Sequence, residues 1–70
     1  MDEFNKKWEF HLVNEGAKNI KVNLDADVAL DEAVDMARME RCTIIIRDDN
    51  SGTDVSVVTP DGYSYEINGY

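Results

Sequence analysis

The chain has 70 residues, 43% of them hydrophobic and 31% charged, and its 15 acidic side chains outnumber 7 basic ones for a net charge of −8. That length allows one domain, residues 1–70, built on a single core, and the hydrophobic content sets it apart from disordered acidic chains. So negative a chain is repelled by nucleic acid and by anionic membranes, which excludes direct contact with either and favours basic proteins as partners.

Residues 8–14, WEFHLVN, set Trp8, Phe10 and Leu12 against Glu9, His11 and Val13, the period-two pattern of a strand with one buried face. Turn residues follow from Asn14 to Lys18, and Ile20, Val22 and Leu24 then alternate with Asn19, Lys21 and Asn23, so the two runs are expected to form a hairpin. The stretch from Asp25 to Arg41 reads as a helix, with Ala26, Leu30, Ala33, Val34 and Ala37 on one side. Either Asp25 or Asp27 can cap its start. Cys42 to Arg47 holds the strongest β-branched run, expected at the centre of a sheet, and Val55 to Thr59 and Tyr63 to Ile67 add two strands across turn-rich loops. The predicted fold is therefore α+β, a single helix packed on one face of a mainly antiparallel sheet of four or five strands, in the order ββαβββ.

The core is expected to include Phe10, Val22, Leu30, Val34, Ile44 and Ile46. With Ile44, Ile46, Val55 and Val57 facing the helix, Val13, Ile45 and Val58 would face away on an uncovered sheet surface. Val28, Met36 and Met39 lie off the helical stripe beside the acids, a setting suited to a protein interface and to a homodimer.

Catalytic and metal chemistry find little support. His11 is the sole histidine and Cys42 the sole cysteine, which leaves no zinc site and no Cys-His or Ser-His-Asp arrangement. Cys42 opens an apolar run and is expected to be a buried, reduced thiol. The segment Asp48 to Asp54 has a superficial likeness to a calcium loop, but Thr53 stands where an EF-hand needs glycine and no flanking helices are expected. No enzyme activity and no cofactor are therefore expected. The N-terminal MDEFNKKW has no apolar signal-peptide core, and no segment is long enough to span a membrane, so the expected location is cytoplasmic.

What remains is the distribution of charge. Residues 1–24 hold four acids and four bases, whereas residues 25–70 hold eleven acids and three bases and carry the whole excess. Asp27, Asp31 and Asp35 form a row at i, i+4, i+8 with Glu32 beside them, and no lysine or arginine interrupts Asp25 to Ala37. Carboxylates at that spacing repel by a few tenths of a kcal/mol per pair, so helix stability does not explain the row. The helix dipole accounts for acids in the first turn only. With the loop close to the helix, Asp48, Asp49 and Asp54 would extend the row, and Asp61 and Glu66 could form a further patch.

In size, acidity and this helix-plus-strands layout, the sequence resembles the small acidic phage proteins that mimic DNA and disable host DNA-binding proteins, including the nucleoid protein HU. The resemblance implies an inhibitor that enters the DNA-binding groove of an HU-like protein. Asp25, Asp27, Asp31, Glu32, Asp35, Asp48, Asp49 and Asp54 are the partner-binding residues inferred from the charge map. The alternative is a small acidic interaction or scaffold domain whose charge serves solubility. Trp8-Glu9-Phe10, Glu15-Gly16-Ala17-Lys18 and the alanine-rich helix are similar to short bacterial domains of that kind.

Overall fold

The computed structural model describes residues 5–13 and 18–67. In chain order they form β1 (Asn5–Val13), β2 (Lys18–Asp25), α1 (Ala26–Glu40), β3 (Thr43–Asp48), β4 (Thr53–Val58) and β5 (Ser64–Glu66). Every neighbouring pair is antiparallel in one five-stranded sheet of order β2-β1-β3-β4-β5, with α1 across one face. The expected α+β architecture is present, and the isoleucine-rich β3 is the central strand. The connection from β2 through α1 to β3 skips over β1, so β1 is hydrogen-bonded along both of its edges. Of the predicted turn from Asn14 to Lys18, residues 14–17 lie outside the described residues, and Lys18 instead begins β2.

β1 starts at Asn5, earlier than the apolar alternation beginning at Trp8 suggests. Lys6 and Lys7 continue the period of two with charged residues, and Lys6, opposite Leu24, falls on the helix-facing side. That side of the sheet supplies Trp8, Phe10, Leu12, Ile44, Ile46, Val55 and Val58 to the core, and Cys42 completes it. Phe10, Leu12, Ile44 and Val58 are the largest fully enclosed side chains.

The helix meets this surface through Ala29, Ala33 and Ala37, spaced i, i+4, i+8, all of them buried. The contact line is thus rotated from the stripe read in the sequence: Ala26 is exposed, and Leu30, Val34 and Met36 flank the line half-buried. Alanine at the line of contact lets the helix axis approach the sheet closely, and the longer side chains then fill the angled spaces on either side. Val22, also expected in the core, is half-buried because β2 is an edge strand. Met36 belongs to the packing, whereas Val28 and Met39 are exposed as expected.

β4 corrects the expected inward set. Ile46 lies opposite Ser56 but Arg47 lies opposite Asp54, so one step along β3 matches two along β4 and Val55 is the extra residue of a β-bulge. The bulge allows Val55 and Val58, three residues apart, both to reach the core, which strict alternation forbids. Val58 therefore faces the helix, while Val57 joins Ile45 and Tyr65 on the open face.

The ends of α1 differ in quality. Asp25 occupies the N-cap position with extended backbone but makes no side-chain capping bond, so it contributes charge near the helix N-terminus and no capping acceptor. At the other end Arg41 takes the left-handed conformation, φ 55° and ψ 46°, while the Cys42 amide donates to the Ala37 carbonyl at 3.2 Å.

Candidate functional site

Two populations of carboxylate emerge, separated by the sheet. The first stands on α1. Because Ala29, Ala33 and Ala37 fix which side of the helix is buried, Asp27, Asp31, Glu32 and Asp35 are all exposed. No ion pair links any of these four to a described lysine or arginine. Arg38, in the last turn, packs its guanidinium over Gly62, with Nε 3.5 Å from where a Cβ would stand. Gly62 has φ +95°, so the β4–β5 turn depends on glycine for its backbone conformation, while the Arg38 contact would accommodate a Cβ. Asp25 is half-buried at the start of the row.

The second population is neutralised. Arg47 and Asp54 are cross-strand partners on the open face, with Nε 2.8 Å from the Asp54 carboxylate and Nη1 3.5 Å from Glu9. The hydrogen bond and charge of Asp54, helped by Glu9 and opposed by partial desolvation, hold the Arg47 guanidinium still more firmly in its charged form. Lys21 lies 3.4 Å from Asp49 on the same face. The row Lys21, Glu9, Arg47, Asp54 therefore crosses four strands with alternating sign.

Asp48 stands apart from both populations. It is 2% exposed, meets the Lys6 ammonium at 2.6 Å and accepts the Asn50 amide at 2.9 Å, the short-range bond of an Asx turn opening the β3–β4 loop. The same Lys6 ammonium lies 4.8 Å from the centre of the Trp8 ring, whose indole N–H donates to the Leu24 carbonyl at 3.0 Å. Asp48 thus ties β1 to the β3–β4 loop from the core side of the sheet.

Of the eight carboxylates read as one partner-binding set, the structure brings Asp25, Asp27, Asp31, Glu32 and Asp35 together on the helix and separates the rest. Asp48 is buried, and Asp49 and Asp54 lie on the opposite side of the sheet in ion pairs, so the loop does not prolong the helical row. The sequence alone does not assign Glu66 to a face; opposite Ser56 on β5, it projects on the helix side near Asp27. Alternation fixed its parity within β5, but the bulge in β4 had to be known to carry that parity across the sheet. Asp61 is exposed in the β4–β5 turn.

Cys42 is buried at the end of α1. Desolvation, with the Glu40 charge adding to it and Lys18 opposing it, pushes the thiol above its ordinary ionisation range, so it packs as a neutral group. Among the described residues, no helix is long and apolar enough to cross a membrane. No known protein family, curated protein or solved structure matches this chain.

Proposed function

We propose that the exposed face of α1 acts as a DNA mimic, competing with DNA for the basic groove of a host DNA-binding protein of the HU type. One observation carries this reading: Asp27, Asp31, Glu32 and Asp35 stand exposed and without an ion-pair partner among the described residues, while Lys6, Lys21 and Arg47 are engaged with other acids. Segregation of this kind leaves the excess negative charge on the helix side. Along α1 the four carboxylates span roughly 12 Å of rise, about one charge per 4 Å, against a phosphate every 3.4 Å or so along one DNA strand. A rigid helix holds this pattern without the ordering cost that a flexible acidic tail would pay. A homodimer would double the length of the track.

The second reading, a scaffold domain with a solubilising surface, gains from the neutralisation of Asp48, Asp49 and Asp54, which makes the acidic surface shorter than the sequence suggested. Displacement of labelled DNA from purified HU separates the two. Wild-type protein should displace the DNA, with an effect that weakens as salt rises, and Asp31→Asn/Glu32→Gln/Asp35→Asn should displace it poorly while remaining folded. Equal displacement by both proteins, or none by either, would leave the scaffold reading standing.

A further inference from the structure

A helix of about 10 Å diameter cannot cover five strands spaced about 4.8 Å apart. The sheet therefore projects beyond α1, and the space left beside the N-terminal half of the helix, towards β4 and β5, is an open groove of about 220 Å³. Its lining is mainly apolar, with Trp8, Leu30, Ile46 and Val55 beside Ser56. Its two walls each carry one exposed carboxylate, Asp27 from the first turn of α1 and Glu66 from β5. No lysine or arginine lines it, and neither acid is ion-paired with a described residue. The groove on the other flank of α1 differs in this respect, because Lys18 lines it together with Glu32, Asp35 and Glu40.

We propose that the groove beside β5 receives a lysine or arginine side chain projecting from a basic protein partner. Long cationic side chains bury their methylene stem along apolar surface and keep the charged head at the edge, which matches a mainly apolar lining between two carboxylates. The rim supplies charge-assisted hydrogen bonds to that head. An uncharged apolar side chain would fill the groove but leave the rim acids with no counter-charge, and a free cation would gain nothing from the apolar lining. The inference rests on the reading of the partner as a basic protein, and adds to it an anchoring position off the crown of the helix.

The test uses a dodecapeptide of alternating glycine and lysine. Trp8 is the only tryptophan and lines the groove, so its emission reports occupancy directly. The lysine peptide should change Trp8 emission and shift the methyl resonances of Leu30 and Val55. Asp27→Asn/Glu66→Gln should weaken binding about tenfold, whereas Asp31→Asn/Asp35→Asn, with the same change in net charge, should weaken it less than about twofold. A peptide with 2,3-diaminopropionate in place of lysine keeps the charge and loses the stem, and should bind several-fold more weakly. Equal losses in the two variants, equal binding of the two peptides, or unmoved Trp8 and methyl signals would overturn the groove. Its failure is separable from that of the proposed function. Peptide binding without displacement of DNA from HU removes the function and keeps the groove, whereas full displacement by Asp27→Asn/Glu66→Gln removes the groove and keeps the function.

Discussion

Asp48 shows how a residue's role follows from what surrounds it and not from its type. Read by charge it belongs with Asp49 and Asp54 on a binding surface, but at 2% exposure it instead holds Lys6 and the β3–β4 loop in place. Asp48→Ala strands the Asn50 amide and takes the carboxylate from Lys6, which should cost about 1–3 kcal/mol of stability in a urea titration and leave DNA displacement by the folded protein unchanged. A loss of displacement at unchanged stability would return Asp48 to the partner surface. Cys42 makes a pH prediction. Its thiol ionises at higher pH in the folded chain than in the unfolded one, where it has the ordinary value near 8.5. The folded state therefore keeps the proton more tightly, so this contribution is fully present below the unfolded value and is lost as pH rises through the folded one. Wild-type stability should fall relative to that of Cys42→Ala as pH rises above about 8.5. Parallel stability curves over that range would show that burial does not bias the thiol.

At the scale of elements, the alanine line of α1 decides how the helix sits. Ala33 is fully buried while Leu30 is half-buried beside it, the reverse of what side-chain size suggests. Enlarging the contact should therefore hurt: Ala33→Leu pushes the helix off the sheet at a cost of about 1–3 kcal/mol. Leu30→Ala should cost less than the roughly 2–5 kcal/mol of a fully enclosed leucine, since part of that side chain is already exposed. Thermal or urea unfolding of both variants measures this, and a larger loss at Leu30 would place the contact line where the sequence put it. In β4, the bulge at Val55 exchanges the roles of Val57 and Val58. A period-two reading cannot detect an inserted residue, because the pattern on each side of the bulge remains locally regular.

For the whole molecule, the governing feature is an excess of negative charge divided unevenly between two sides of a thin protein. The open face is laced with ion pairs, which are worth little individually and are screened by salt. The helix face carries unrelieved like charges. Repulsion across a net charge of −8 should outweigh the surface pairs, so the melting temperature should rise as salt increases from low ionic strength to about 0.15 M. Circular dichroism melts at several salt concentrations provide the measurement, and a falling midpoint would mean that the ion pairs dominate.

By itself the sequence determined the elements, their order, the centrality of the isoleucine strand and the exposure of Asp27, Asp31, Glu32 and Asp35. All of these follow from local periodicity and β-branched composition, which are written within a few residues of chain. Tertiary structure alone decided which acids keep their charge uncompensated. Lys6 meets Asp48 from 42 residues away and Arg47 meets Glu9 from 38, distances over which sequence patterns carry no register. It also decided that Glu66 faces Asp27 across a groove, because that depends on strand order, on one inserted residue in β4 and on a helix too narrow to cover the sheet. Packing sets such relations between segments distant in the chain, and local preference has no means of expressing them.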